Sequence, residues 1–372
     1  MSVRGAEPSR ILILNPFGIG DVLFTTPVIR ALRCAFPQSR IHYLCNRRTE
    51  PILRNNPHLN GVIVYERDEM VQAWRRSFGK GFKVLTGLLE AIRRQQFDLV
   101  LDLSLSDRYA FGLRVLGVPR VMGFDYRHRG RFLTDRLPID GFHGAHVVEY
   151  QRRILWFLGV RMLEDELEMA LPEDDIRWAE AWLRRQPMSR NGPLIGIIPA
   201  GGVSWGIGAS FRRWGVEGFA AVGDALAERY AARVILFGES ADRNTCEAVA
   251  KLMRAPSVDA TGQTSLGQFI ALLKQLDLVI CNDGGPLHLA VSQGVKTVSV
   301  FGPVDPQVYG PHPATDGRHR TVYRADLLCR PCYHRFRLPP CPYERACLTG
   351  VEPADVLSAC EALLGERSVR HG

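Results

Sequence analysis

Two stretches of the chain carry residue types at spacings that could do chemistry. The first is residues 15–21, NPFGIGD, between an apolar run and a helical pattern. Glycines at 18 and 20 would let backbone approach a ligand, and a following helix presents unpaired amides to an anion. A dinucleotide fingerprint needs a third glycine where Phe24 stands, so that reading is excluded. What remains is Asp21 at a helix start. One reading is a helix cap, for which aspartate is among the best residues. The other is a general base for a sugar hydroxyl. A helix amino terminus weakens a carboxylate as a base, yet a hydroxyl that loses its proton late needs only a positioned acceptor.

The second stretch is residues 276–289, LDLVICNDGGPLHL. An apolar strand runs into an Asn-Asp-Gly-Gly turn, and Pro286 stands where proline favours the first helical position. The amides of Gly284, Gly285, Leu287 and His288 would then converge on an anion such as a diphosphate, with the His288 ring as a further donor. Against this, many strand-to-helix junctions use Asn, Gly and Pro in the same way. A third group is Cys329, Cys332, Cys341 and Cys347, in the order C-x2-C-x8-C-x5-C. Four thiols so spaced could hold a structural zinc, although the second pair is wide and Pro331, Pro339, Pro340 and Pro342 stiffen the loop. A disulfide, a redox-labile cluster and plain thiols stay open. Arg108, Arg120, Arg127, Arg129 and Arg131 could meet acceptor phosphate or carboxylate, against the common reading of solvated surface.

These residues must be positioned by regular elements. Apolar runs at 10–15, 40–45, 61–65 and 97–103 read as strands, with a helix over 21–36. The pattern restarts with strands at 193–199, 233–238, 276–281 and 296–301 and helices over 216–230, 246–254 and 266–275. Strand-helix alternation predicts parallel, doubly wound α/β sheets. The acidic stretch inside 163–191 marks a junction, giving Rossmann-like domains 1–165 and 166–372 that face across a cleft, with ligands at the strands' carboxyl ends. The second domain includes the cysteine-rich loop 329–347 and a terminal helix over 352–364 that packs on the core. Residues 74–83, WRRSFGKGFK, read as a basic surface loop.

Composition bounds the rest. With 372 residues, 46% hydrophobic and 23% charged, the chain reads as a two-domain globular protein. No apolar run reaches the roughly 18 residues of a membrane span. No signal peptide is read, and nine dispersed cysteines argue against a secreted disulfide framework. A cytoplasmic location is expected, with peripheral contact at the inner membrane as a further possibility. Residues 1–160 hold 24 Lys and Arg against 14 Asp and Glu, while the rest hold 23 against 25. Such a positive half attracts anionic partners through a field screened over about 10 Å. Nucleic acid is disfavoured, because the basic half holds no zinc-like cysteine pattern and no base-stacking motif.

In order along the chain come GIGDVLFTTPVIRALRCAFPQSRIHYL, NNPHLNGVIV, FDLVLDL, the RRW ending at Trp214, NDGGPLHLAVSQGVKTVSVFGP and VDPQVYGP. Together, from about Arg10 to about Pro311, they resemble glycosyltransferase family 9, the heptosyltransferases that build the lipopolysaccharide inner core. The resemblance implies a GT-B fold and an inverting transfer that requires no catalytic metal. It implies ADP-heptose as donor, held mainly by the second domain, and a lipid-linked acidic core oligosaccharide as acceptor, held by the first. Asp21, after Gly20, matches the family's base. Arg212 matches a phosphate-contacting position where relatives carry lysine. Asp283, Gly285 and His288 match the stretch that holds diphosphate and donor sugar, and either Glu239 or Asp242 matches an acidic ribose contact. Gly284 departs from the serine or threonine common at its place. Other readings are a GT-B enzyme with another nucleotide-sugar donor or glycan acceptor, and a non-catalytic ADP-heptose-binding protein.

Overall fold

The four apolar runs read in the first part of the chain become strands, and two further strands join them, all six parallel: β1 (Arg10–Leu14), β2 (Arg40–Cys45), β3 (Gly61–Val64), β4 (Leu99–Asp102), β5 (Arg120–Tyr126) and β6 (Asp135–Ile139). They form one sheet in the order β3-β2-β1-β4-β5-β6. The connections carry α1 (Ile19–Leu23), α2 (Thr26–Ala35), α3 (Glu50–Leu53), α4 (Arg67–Arg76), α5 (Phe78–Gln95) and α6 (Asp107–Val115), and α7 (Val147–Leu155) follows β6. Helices on a parallel sheet bury its central strands on both faces, which explains the continuous apolar runs of β1 and β4. On one face Leu12, Leu14, Val100 and Val121 pack beneath Ile92 of α5 and Leu113 of α6.

A second sheet is built the same way from β7 (Leu194–Ile198), β8 (Arg233–Leu236), β9 (Ser257–Asp259), β10 (Leu278–Asn282), β11 (Thr297–Val300) and β12 (His319–Val322). Its order is β12-β11-β10-β7-β8-β9, again all parallel. Around it lie α8 (Glu173–Arg185), α9 (Val216–Tyr230), α10 (Arg243–Leu252), α11 (Leu266–Leu273), α12 (Gly285–Ser292), α13 (Pro306–Tyr309), α14 (Ala346–Thr349) and α15 (Pro353–Leu364). Val356, Cys360, Leu363 and Leu364 of α15 are buried in the same cluster as Phe219 and Leu226 of α9, so the terminal helix is a core element. This computed structural model describes residues 7–188, 191–201, 203–314 and 317–365.

Counted from its own first strand, each sheet has the order 3-2-1-4-5-6 of dinucleotide-binding folds, and in such sheets ligands bind at the carboxyl ends where the order reverses. Those switch points lie between β1 and β4 in the first sheet and between β7 and β10 in the second. The chain divides into two units between Ala170 and Leu171. The acidic run before the division belongs to the first unit: Arg30 of α2 forms ion pairs with Glu164, Glu166 and Glu168, the last at 2.7 Å.

Three local expectations are corrected. The helix expected over 21–36 is two helices, because Pro27 near the start of α2 has no N–H for a continuous ladder. The Leu23 carbonyl, which would have accepted from an amide at position 27, accepts instead from the Thr26 hydroxyl at 2.8 Å, and the Val22 carbonyl accepts from both the amide and the hydroxyl of Thr25, at 3.0 and 2.6 Å. Residues 74–83 are a helical hairpin, not a loop. Ser77 breaks the chain between α4 and α5 and caps α5 by accepting from the Lys80 amide. Gly81 is where Trp74 packs: a β-carbon there would lie 2.3 Å from the indole. The strands β5, β6, β9 and β12 also escaped the periodicity reading. The last three are only partly buried, so they lack the apolar runs of the centre.

Candidate active site

In the first unit the segment after β1 is held by two asparagines. The Asn15 side-chain amide donates to the Asp21 carbonyl at 3.1 Å, and its oxygen accepts from the Phe17 amide. Asn46, after β2, donates to the carbonyls of Pro16 and Phe17. This frame sets Asp21 in the first turn of α1, half-buried, with Oδ2 accepting from the Gly18 amide at 3.1 Å. Asp21 therefore does serve as a cap, as one reading expected. Capping engages one face of the carboxylate and is compatible with a second acceptor role.

Asp102 ends β4, in register with Leu14 across the same switch point. Sequence reading overlooked it, although an aspartate closing the run FDLVLD was the available signal. It is 4% exposed. Oδ1 accepts from the Ser104 amide at 2.9 Å, and Oδ2 has no hydrogen-bond partner among the described residues. Burial pushes its carboxyl up to about 6, against a weaker opposing pull from Ser104.

The second unit concentrates its functional groups at the matching position. Asn282, the last residue of β10, spans the switch point: its amide donates to the Pro199 carbonyl beyond β7, and its oxygen accepts from the Trp214 amide, both at 2.8 Å. Trp214 is anchored in turn by donating to the Val351 carbonyl at 3.0 Å. The clamp fixes Arg212, two residues earlier, whose Nε donates to Asp283 Oδ2 at 2.9 Å and whose terminal nitrogen contacts the same oxygen. Both side chains are buried. Burial pushes the Asp283 carboxyl up and the Arg212 guanidinium pulls it back. Asp283 and Arg212 were expected as separate ligand contacts, and the structure joins them.

After Asp283 the backbone passes through Gly284 at φ +153°, a setting L side chains rarely adopt, and enters α12 at Gly285 and Pro286. Gly284 and Gly285 are partly exposed at this helix start, and His288 is buried one turn on. Leu287 is a correction: its amide donates to the Gly284 carbonyl at 3.1 Å and its side chain is fully buried, which removes it from the amides facing an anion. Beyond β8 the two acidic candidates separate. Asp242 is buried, accepting from Arg213 at 3.3 Å and from the Glu239 amide at 3.1 Å, while Glu239 is exposed. Arg213, which sequence reading did not single out, also donates twice to the Gly201 carbonyl.

Of the arginines considered for an acceptor, Arg120 is corrected. It begins β5, at the end of the sheet away from the switch point, and is taken up by Asp135 at 2.9 and 3.1 Å and the Phe157 carbonyl. Burial raises the Asp135 carboxyl, but the bonds from Arg120 and Thr134 outweigh it and hold it below the usual range. Arg108 near the start of α6, and Arg127 and Arg129 in the turn after β5, are exposed at the carboxyl end. Arg131 is exposed and pairs with Asp107.

The four clustered cysteines grade from exposed Cys329 through partly buried Cys332 and Cys341 to buried Cys347. Burial, then the neighbouring thiols, raise Cys332 and Cys347, so the group is near enough to feel itself. The Arg345 amide donates to the Cys341 sulfur at 3.3 Å. Among the described residues, no three His, Cys, Asp or Glu side chains are arranged to hold a metal ion.

Two sheets of 3-2-1-4-5-6 order with ligand-type residues at both switch points define the GT-B class of nucleotide-sugar enzymes. Residues 85–338, more than half of the chain, match the family model described as glycosyltransferase family 9 (heptosyltransferase), and the chain belongs to that family. It is 27% identical over 292 residues to lipopolysaccharide heptosyltransferase 3 of Escherichia coli K12, covering 77% of this chain and 80% of the relative. It is 28% identical over 364 residues to lipooligosaccharide heptosyltransferase 2 of Campylobacter jejuni serotype O:2, covering 95% and 98%. Among solved structures, the family 9 glycosyl transferase from Veillonella parvula superposes with a TM-score of 0.78 at 24% identity, covering 96% of this chain and 98% of that one. The E. coli ADP-heptose lipopolysaccharide heptosyltransferase II gives 0.72 at 21%, covering 96% and 100%. The protein is a glycosyltransferase.

Proposed function

We propose that the protein transfers heptose from ADP-heptose to an acceptor in the lipopolysaccharide core, with inversion at the anomeric carbon. The sugar and the core acceptor are suggested by the names of its relatives. The observation that carries the reading is the second switch point, where the Arg212 cation, held by Asp283, lies beside a glycine turn opening a helix. Such a site suits a nucleoside diphosphate.

In this reading the diphosphate meets Arg212, the amides of Gly284 and Gly285, and the His288 ring. Glu239, exposed beyond β8, binds the ribose, and Asp242 supports the loop through Arg213. Arg108, Arg127 and Arg129 meet anionic groups of the acceptor. The acceptor hydroxyl gives its proton to the Asp21 carboxylate as its oxygen bonds to the anomeric carbon. The bond from that carbon to the diphosphate breaks, and the leaving charge falls on the diphosphate. A guanidinium and fixed amide dipoles can stabilise that charge in the way a metal does elsewhere, and this supports a metal-independent transfer.

The test is mass spectrometry of a truncated core acceptor incubated with the protein and ADP-heptose. The reading expects the mass gain of one heptose, with ADP released in step. Consumption of a UDP- or GDP-sugar with ADP-heptose left intact would overturn the donor. ADP-heptose binding without any transfer would make the protein a sensor instead.

A further inference from the structure

The helical hairpin that replaces the expected loop has a surface to which the proposed transfer gives no role. The carboxyl-terminal half of α5 is anchored, with Ile92 and Leu88 packed in the first unit's core. Its amino-terminal half and the end of α4 instead present aromatic side chains to solvent. Phe78 is 74% exposed, Phe82 53% and Trp74 37%, with Val71 and Val84 also exposed. The three rings form a continuous ladder, Trp74 to Phe78 at 5.1 Å and Phe78 to Phe82 at 6.3 Å between centroids. Around them stand Arg75, Arg76, Lys80 and Lys83, all exposed and with no ion pair among the described residues, and no acidic residue occurs from Met70 to Leu89.

Contiguous exposed aromatics rimmed by unpaired cations mark a surface that is covered in use. The charge requires an anionic partner. Two features select a lipid surface over a nucleic acid: Phe78 and Phe82 stack on each other and Trp74 meets Phe78 edge-on, so the rings do not stand apart to receive bases, and aliphatic Val71 lies one helical turn before Trp74 on the same face. Aromatic rings beside Lys and Arg are the composition of segments that lie at the headgroup level of a bilayer. Among the described residues no helix is long and apolar enough to cross a membrane, so contact through this patch would be peripheral. We propose that the α4–α5 hairpin docks the protein on an anionic lipid surface, with Phe78 and Phe82 entering the interface and Arg75, Arg76, Lys80 and Lys83 meeting the headgroups. The proposal does not depend on which sugar is transferred.

The experiment is flotation of the full chain with vesicles of phosphatidylcholine, with and without phosphatidylglycerol, while hydrogen exchange is followed. Binding is expected only with the anionic lipid, weakening as salt rises, and with protection centred on the hairpin. Phe78→Ser with Phe82→Ser, and separately Arg75→Glu with Lys80→Glu, should each weaken binding by about tenfold or more. These side chains are exposed, and unchanged thermal unfolding verifies the fold. If a variant fails to fold, the protection map of the wild type decides alone. Equal binding to neutral vesicles, protection centred elsewhere, tighter binding to duplex DNA than to vesicles, or unweakened binding by folded variants would each overturn the proposal. Transfer to a delipidated acceptor should survive the phenylalanine changes. Loss of transfer with vesicle binding intact counts against the proposed function alone.

Discussion

At the scale of single residues, the two switch points treat charge in opposite ways. In the second unit a buried carboxylate is matched by a buried guanidinium, since an unpaired charge at either position would be strongly destabilising. In the first unit Asp102 is buried with one oxygen unpartnered, and it answers by favouring its neutral form. Its folded value, about 6, lies above the ordinary 3.8. Between those values the folded state holds the proton more than the unfolded state does. The associated stability is present below about pH 4 and is lost as pH rises through 6, at a cost on the order of 3 kcal/mol. Asp102→Asn keeps an acceptor for the Ser104 amide and cannot ionise. Urea unfolding of this variant should show greater stability than the wild type at pH 8 and a flatter profile between pH 4 and 6. A profile parallel to the wild type would mean that Asp102 does not titrate in this range.

At the scale of elements, what could be read from the sequence depended on burial. The central strands showed as apolar runs because helices cover both faces, and the turns after β1 and β10 showed through glycine and proline. The partly buried strands β6, β9 and β12 lack that signal, and the α4–α5 hairpin was hidden by Gly79 and Gly81, which weaken a helical pattern. The pairing of Arg212 with Asp283 joins residues 71 positions apart, so neither neighbourhood announced it. Gly284 shows a local rule at work. Its φ of +153° makes serine, or any other L side chain, a strained choice here. Gly284→Ser should cost about 1–3 kcal/mol in stability and weaken ADP binding, read by chemical unfolding and calorimetric titration. Unchanged values in both would show that the turn relaxes without loss.

At the scale of the whole molecule, one topology is used twice with different groups at the same place. The first unit offers carboxylates, Asp21 and Asp102, at its switch point, with exposed arginines beyond. The second offers a cation and helix amides. Under the proposed function this asymmetry, with the positive excess in the first half of the chain, goes with the nucleotide in the second unit and an anionic acceptor in the first. Binding to the folded state alone stabilises it by about 2.7 kcal/mol at a ligand concentration of 100 times Kd. ADP should therefore retard hydrogen exchange across β7, β10 and α12 while leaving β1 and β4 unchanged. Protection confined to the first sheet would reverse the assignment.

The account turns on Asp21 acting as a base in addition to capping α1, and Asp21→Asn separates these roles. Its amide oxygen can still accept from the Gly18 amide but cannot take up a proton at neutral pH. The measurement is the transfer rate of the purified variant at saturating ADP-heptose, beside its unfolding temperature and ADP affinity. The account predicts a rate lower by about a hundred- to ten-thousandfold, with the other two values close to wild type. Transfer at the wild-type rate by the folded variant would contradict it.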